Sequence, residues 1–444
     1  MARSTAPRRR RSPALTDGRF ANWARTASSV PAQWQLPATE DDVVALVQRA
    51  RADGRRVRCV GAGHSFSPIA APTDIAVSLD NLRGIVGYDD TTVTVRAGTR
   101  LRDLNAALAE RGLALPILGS IAEQSLAGAI ATGTHGSSLT HPNLSGLVRG
   151  IRLVDGTGTV LDLDEDDPRL DAARVHLGAL GIITRVGIEV VPAFALRERI
   201  EWLPVGDVAA ALPEISTSAE YTKVWWMPHT PNALVFRYER APAPRNLVAV
   251  RADRFVDERI VHRSLLPAVF AAQRMQSGWV PAFNRMAGRT LKKASRIGPS
   301  PMLFSTPMPA RHTETEASIP LASGGAAFDA AVQVVDDAAV HVNFITELRF
   351  VKGDTGWLSP AYGGDVVQLG AYTAVLGHRD RYFAEFWRRM HALDARPHWG
   401  KELDHGADEL RSLYPRFDDF TGVRAQLDPD RMFANPFLDR VLGE

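Results

Sequence analysis

The chain contains one cysteine, Cys59. A lone thiol excludes an intrachain disulfide and a cysteine metal cluster. Its setting, Val57-Arg58-Cys59-Val60, suits a small buried core residue. Long apolar runs are missing as well: no stretch approaches the ~20 apolar residues that a membrane-spanning helix needs. The net charge is only +2 over 444 residues, so nothing points to nucleic acid or to an acidic partner. These absences leave the cytoplasm as the default location, with membrane contact at most peripheral. The one dense cationic run, Arg8 to Arg11, reads as part of a solvated, disordered basic tail over residues 1–22. A twin-arginine export signal would need an apolar segment next, and Ser12-Pro13-Ala14-Leu15-Thr16-Asp17-Gly18 does not supply one.

What is present is ordinary for a globular protein: 45% apolar and 23% charged residues. The length exceeds one ordinary core and predicts two domains or three. From about 23 to 193, short strands and helices alternate. Thr39 caps a helix over 40–52 with Glu40, Asp41 and Asp42 in its first turn, where the dipole favours negative charge. Strands follow over 56–60, near 74–79 and near 92–97, then a helix over about 100–111 and a hairpin over 151–160 that turns at Asp155-Gly156. Pro192 then punctuates the chain. Beyond it, 221–226, 233–238, 340–350 and 365–374 read as strands. Residues 382–395 read as an amphipathic helix with Phe383, Phe386, Trp387, Met390 and Leu393 on one stripe. Strands and helices mix without regular βαβ spacing, an α+β pattern. Residues 240–310, rich in Arg, Pro and Ala, carry no readable pattern, and there is no internal repeat.

Four segments could carry chemistry. Gly61-Ala62-Gly63-His64-Ser65 directly follows a strand, and glycines there let backbone N–H groups approach a phosphate. It is not the dinucleotide fingerprint, since no third glycine follows at the right place; a lone loop histidine is more often structural. Leu118 to Ser137 is dense in Gly, Ala, Ser and Thr. A flexible linker is the plain reading, but Ile121, Leu126 and Ile130 tie the segment to a core, which favours backbone lying against a flat ligand with phosphates. In His341 to Phe350, alternation sets Phe344, Leu348 and Phe350 on one face and His341, Glu347 and Arg349 on the other. That set is either an ion pair on a solvated sheet or a polar pocket wall in which Glu347 orients Arg349. Arg396-Pro397-His398-Trp399-Gly400-Lys401 is either a surface loop or a place where a lysine cation stabilises a developing alkoxide.

In this order the segments resemble the aldonolactone oxidase group of the vanillyl-alcohol oxidase flavoprotein superfamily, which also holds alditol oxidases. The stretches that carry the resemblance are Gly61-Ala62-Gly63-His64-Ser65-Phe66, Ala131-Thr132-Gly133-Thr134-His135-Gly136, Thr346-Glu347-Leu348-Arg349-Phe350, His398-Trp399-Gly400-Lys401 and Asp428-Pro429-Asp430-Arg431-Met432-Phe433-Ala434-Asn435. The likeness spans roughly 23 to 440, and the histidine-tryptophan-glycine-lysine motif is its most specific part.

The resemblance implies a fold and a site. Residues 23–193 would form an FAD-binding domain of two α+β subdomains, 194–390 a cap domain with an antiparallel sheet, and 391–444 a segment returning to the FAD domain. FAD would be tethered covalently through His64. Gly61, Ala62, Gly63, His64 and Ser65 would hold the pyrophosphate, with Phe66 beside them. Gly119, Ser120, Ser125, Gly128, Thr132, Gly133, Thr134, His135 and Gly136 would line the cofactor, and Gly181 and Ile183 would offer backbone to the adenine end. Glu347, Arg349, Lys401 and Ser120 would be catalytic, the two cations stabilising the substrate oxygen while a hydride passes to flavin N5. The substrate would be a sugar-derived aldono-1,4-lactone, giving a keto lactone that tautomerises to an ascorbate-type enediol. Gly119, being small, would leave oxygen a path to the flavin, so O2 or another acceptor would complete the cycle. The alternatives are an alditol oxidase acting on an open-chain polyol and, more remotely, a flavin-binding protein without turnover.

Overall fold

The computed structural model describes residues 15–16, 18–242, 265–290, 295–305, 310–337, 340–374 and 376–443. The Arg8 to Arg11 run and much of 240–310 therefore lie outside the described residues. The basic tail expected over 1–22 ends sooner than that. Strands β1 (Leu15–Thr16), β2 (Arg19–Ala21) and β3 (Ser28–Ser29) pair antiparallel. The reason is Phe20, an apolar ring that is 1% exposed and packs with Val60 and Ala76.

Next comes a small parallel sheet of β4 (Gln33–Gln35), β5 (Val57–Cys59) and β6 (Ile75–Val77), in the order β4-β6-β5. The helix Glu40–Ala52 covers it. Thr39 closes a capping box: its Oγ1 accepts from Asp42 N at 3.1 Å, and Asp42 Oδ2 accepts from Thr39 N at 2.9 Å. Val43, Leu46, Val47 and Ala50 then face Val57, Ile75 and Val77.

A second sheet follows, built from β7 (Ile85–Tyr88), β8 (Thr92–Arg96), β10 (Val148–Val154), β11 (Val160–Asp164) and β12 (Ile182–Glu189), with β9 (Leu113–Ala114) and β13 (Val191–Pro192) paired to one side. Its order is β11-β10-β12-β8-β7, antiparallel throughout. Edge strand β7 escaped sequence reading because Val86 and Tyr88 stay exposed. The β10–β11 hairpin turns on Asp155, whose Oδ1 accepts from Thr157 N and Thr159 N.

The second half of the chain forms one antiparallel sheet of eight strands. These are β14 (Ala195–Pro204), β15 (Tyr221–Trp226), β16 (Asn232–Ala241), β17 (Ser295–Pro299), β18 (Thr313–Pro320), β19 (Thr346–Val351), β20 (Val366–Thr373) and β21 (Arg396–Pro397). The order is β17-β14-β16-β15-β19-β20-β18-β21. Alternate residues share a face. Val224, Trp226, Ala317, Ile319, Leu348, Phe350, Leu369 and Ala371 pack under the helices Val208–Thr217, Gly324–Asp337 and Arg379–Met390. The strand expected over 340–350 begins only at Thr346. Asn343, ahead of the strand, is tied instead to distant segments, donating to Gln273 Oε1 and accepting from Ala374 N.

The last helices, Ala407–Leu413, Phe417–Leu427 and Pro436–Leu442, return to the core of the five-stranded sheet through Leu410, Tyr414, Phe417, Phe420, Phe437 and Leu438. The halves are stitched by Gly136–Leu139: Ser138 N donates to Phe350 O at 2.6 Å and Lys352 N to Ser138 O at 3.0 Å. Ser138 is 1% exposed, and its Oγ donates to Glu220 O at 2.7 Å and accepts from Thr140 N at 3.0 Å. Ser138→Ala removes both part-buried bonds, so urea unfolding is expected to show a loss of about 0.5–1.5 kcal/mol. An unchanged midpoint would remove Ser138 from the stitch.

Candidate functional site

The chain leaves β5 and enters Gly61–Ser65, which line a cleft between the parallel and antiparallel sheets. Its empty space, including that open to solvent, is about 910 Å³, and its walls include Asp80, Arg100, Ser125, Gly128, Thr132, His176, Gly178, Gly181 and Ile183. Small residues here hold space open. A Cβ on Gly61 would sit 2.6 Å from Ser125 Oγ, and one on Gly128 would sit 2.9 Å from the same atom. Arg58 ties three walls together by donating to Ile69, Leu177, Gly178 and Phe433 carbonyls; burial draws its pKa down to about 10. Arg100 Nη2 is held by Asp80 Oδ1 at 2.5 Å, whereas Arg100 Nη1 and His176 Nδ1 have no hydrogen-bond partner among the described residues. Buried donors and acceptors are normally satisfied, so both atoms suit a polar ligand.

His64 lines this cleft half-buried, with its ring 6.2 Å from that of Trp23. Burial draws its pKa down to about 4, and the charges of Arg100 and Lys401 push the same way. The imidazole is therefore neutral near pH 7, and no hydrogen bond reaches it among the described residues.

The polar face of the eight-stranded sheet supplies the other part of the site. Across it, Trp225 pairs with Glu347, Glu347 with Gly370, and Gly370 with Glu316. Glu347 is 3% exposed. It accepts from Trp225 Nε1 at 2.5 Å, Arg349 Nη2 at 3.0 Å and Tyr372 OH at 3.1 Å, with Lys223 Nζ at 3.6 Å. Burial alone would raise its pKa, but Arg349 and Lys223 overcome that and hold it at about 2. Arg349 also donates to Ser120 Oγ at 2.6 Å and to His135 O at 3.3 Å. Burial draws Lys223 down to about 8 against the pull of Glu347. Lys401 Nζ contacts Glu314 Oε1 and lies 3.6 Å from Glu316 Oε2 and 5.2 Å from the Phe66 ring. Glu316 Oε1 meets His135 Nε2 at 2.6 Å. A Cβ on Gly370 would lie 2.6 Å from the Tyr372 ring, so the glycine gives that ring room over the sheet.

Of the sequence-derived residues, Gly61, Ala62, Gly63, His64, Ser65, Ser125, Gly128, Thr132, Gly181 and Ile183 line the cleft. Glu347, Arg349, Ser120 and His135 join the polar cluster with Lys401. Phe66, Gly119, Gly133, Thr134 and Gly136 lie beyond the cleft lining. Phe66 turns toward Trp23 and His312, Gly133 backs onto Pro360, and Gly136 fits against Ile117 and Leu118 O. Thr134 accepts from Gln124. Gly119 abuts His135 O and the Thr134 methyl, where a Cβ would come within 3.1 Å of each. His341, expected beside Glu347, instead lies near Ser277 and His378, outside the strand. Sequence reading missed Lys223, Trp225, Glu314, Glu316, Tyr372, Arg100 and His176. Thr313-Glu314-Thr315-Glu316 does alternate like a strand with one acidic face, a signal that could have been read.

Residues 186–441 match the family model described as D-arabinono-1,4-lactone oxidase, and residues 31–164 match that described as FAD binding domain. L-gulono-1,4-lactone dehydrogenase of Mycobacterium tuberculosis is 32% identical over 429 residues, covering 96% of this chain and 99% of the relative. Alditol oxidase of a Streptomyces species is 31% identical over 441 residues, covering 95% and 98%, and L-gulonolactone oxidase of Bos taurus 29% over 435 residues, covering 95% and 98%. Among solved structures, cholesterol oxidase from B. sterolicum shares the fold, with a TM-score of 0.80 at 19% identity and 100% of both chains covered. The chain is an FAD-dependent oxidoreductase. The chain belongs to the D-arabinono-1,4-lactone oxidase family.

FAD fits the residues present: a glycine-lined cleft, a buried guanidinium N–H without a partner, and an unbonded imidazole at the end nearest Lys401. No helix among the described residues is long and apolar enough to cross a membrane.

The site has a pH signature. Burial draws down the pKa of His64, His229 and His312 to about 4 and of His176, His398 and His405 to about 3. An unfolded histidine titrates near 6.5, so the folded values lie below the unfolded ones. The stability they contribute is complete above about pH 6.5 and is lost as pH falls from there toward 4. Buried Glu314, Asp354, Glu402 and Asp428 are shifted upward and act in the opposite sense, but the histidines outnumber them. Thermal unfolding is expected to move to lower temperature between pH 6.5 and 4.5; a flat profile there would contradict the neutral buried imidazoles.

Proposed function

We propose that this protein oxidises the CH–OH group next to the carbonyl of an aldono-1,4-lactone of the L-gulono or D-arabinono type. One observation carries the reading: the Glu347–Arg349 pair on the buried polar sheet face is joined through His135 and Glu316 to Lys401, which comes from the loop beside Phe66. FAD, when bound, supplies the two-electron acceptor. Arg349 and Lys401 hold the substrate oxygen and stabilise the negative charge that grows on it as its proton leaves. The proton passes to Glu314, the carboxylate on Lys401 that burial holds above its usual range, while Glu316 stays ionised between His135 and Lys401. Glu347 stays ionised at any working pH, fixes the Arg349 guanidinium, and accepts hydrogen bonds from sugar hydroxyls. Ser120 Oγ, already bonded to Arg349, borders the same space. The product is a keto lactone that tautomerises to an ascorbate-type enediol.

The domain assignment is part of the proposal: 23–193 holds FAD, 194–390 caps it, and 391–444 returns with Lys401. O2 is the proposed final acceptor, because Gly119 is small where the family resemblance places the oxygen path; the relatives bear both oxidase and dehydrogenase names. The proposed location is the cytoplasm. Any peripheral membrane contact would use Met275, Trp279 and Met286, large apolar side chains exposed around the helices Leu266–Met275 and Val280–Thr290, and would show as co-sedimentation with vesicles that Trp279→Ala weakens.

Lys401→Ala should lower kcat/KM by about 10²–10³ while leaving flavin content unchanged, as removal of one charge-stabilising group does elsewhere. Arg349→Ala should lower it at least as far and also destabilise the fold, because it leaves buried Glu347 without its main partner. Assays with lactone and with an open-chain polyol, under air and with a dye acceptor under argon, test substrate and acceptor together. A higher kcat/KM for the polyol would replace this reading with an alditol oxidase. Separately, the neutral, unbonded His64 supports a covalent tether: flavin colour should stay with acid-precipitated wild-type protein and be released from His64→Ala. Release from both would rule the tether out.

A further inference from the structure

Away from the cleft and the polar sheet face, one cluster of ligand-type side chains has no role in the chemistry above. His391 follows the helix Arg379–Met390, His405 lies in the loop four residues after Lys401, and Glu409 sits in the first turn of Ala407–Leu413. His391 Nε2 stands 3.3 Å from Glu409 Oε1, and His405 Nε2 stands 3.8 Å from the same oxygen. The three ligand atoms lie within 4.8 Å of one another.

His405 is the informative member. It is 2% exposed, yet its Nε2 has no hydrogen-bond partner among the described residues. Its ring is fixed edge-on against Trp387, centroids 4.4 Å apart, and its carbonyl is held by Arg440 Nη1 at 2.7 Å. An ion pair between His391 and Glu409 accounts for those two residues. It leaves a buried imidazole nitrogen unsatisfied and turned toward them, which native structures rarely tolerate.

Two imidazoles and one carboxylate form a donor set that zinc accepts, with a fourth position left to water. Metal–ligand bonds of about 2.0–2.2 Å in a tetrahedral array set neighbouring donor atoms about 3.3–3.6 Å apart. The His391–Glu409 separation already has that value. The other separations can close by rotation of His391 and Glu409, whose side chains are 46% and 37% exposed.

We propose that His391, His405 and Glu409 bind one divalent ion of the zinc class. The ion ties the end of a helix that covers the eight-stranded sheet to a helix that packs on Pro436–Leu442. It thereby braces the strap from Lys401 to His405 that carries the catalytic lysine. The role is structural, since none of the three residues touches the polar cluster.

The test uses untagged, flavin-loaded protein stripped with a chelator and titrated calorimetrically with Zn²⁺. The expected result is one equivalent bound, with a rise in the thermal unfolding temperature. His391→Ala and Glu409→Gln, both at partly exposed positions, should weaken binding at least tenfold and abolish that rise, while flavin content and zinc-free turnover stay at the wild-type level. Absence of saturable binding near one equivalent would overturn the proposal. So would undiminished binding in both variants, which would place zinc elsewhere, such as at Glu314 and Glu316.

Discussion

Charge matching on the buried face of the eight-stranded sheet is the condition on which the rest of this structure depends. Glu314, Glu316 and Glu347 leave water together with Lys223, Arg349 and Lys401. A single carboxylate taken into such a place without a partner would cost several kcal/mol. Glu347 instead meets donors from Trp225, Arg349 and Tyr372 with Lys223 close by, so its ionised form is the stable one despite burial. An antiparallel sheet makes this possible because its alternation can turn one face to an apolar helix layer and the other to a polar cluster. The same strands therefore build a core and, in the proposed function, a floor for the reaction.

The floor becomes a site only where the first half of the chain closes over it. Phe66 N donates to Gly400 O at 2.7 Å, and Ser67 Oγ donates to Trp399 O at 2.7 Å. Tyr221 OH reaches Pro116 O at 2.8 Å. These bonds hold the His64 loop, the segment 116–138 and the Lys401 strap at one meeting point. The C-terminal segment adds a second lock, since Val57 N donates to Met432 O and the Arg58 guanidinium to Phe433 O. A cofactor gripped by the first half and a cation delivered by the last fifty or so residues are thus set in register by backbone contacts far apart in sequence.

Much of this was legible in the residues alone. The Thr39 cap, the glycine loop after β5, the hairpin at Asp155 and the Glu347–Arg349 alternation are local signals, and each depends on neighbours within a few positions. The resemblance gave the His398–Lys401 segment its specificity and supplied a reason to join distant segments. What stayed hidden was set by cross-strand register. Glu314 and Glu316 look like a solvated acidic strand until β18 is placed beside β20, and Lys223 looks like an ordinary strand lysine until β15 is placed beside β19. The unpartnered atoms of Arg100 and His176 are likewise invisible without the fold, because an unsatisfied polar atom is a property of packing. Phe20 shows the converse error: a cationic run nearby made the whole N-terminus read as tail, although one aromatic ring was enough to dock it.

The central claim is that the polar sheet face holds a sugar lactone against flavin bound in the cleft. Its most direct test is the visible spectrum of the purified yellow protein under argon as an aldono-1,4-lactone is added. The account predicts that the flavin band bleaches with a saturable dependence on lactone concentration. A band that stays unchanged at millimolar lactone, in protein whose flavin a chemical reductant readily bleaches, would contradict it.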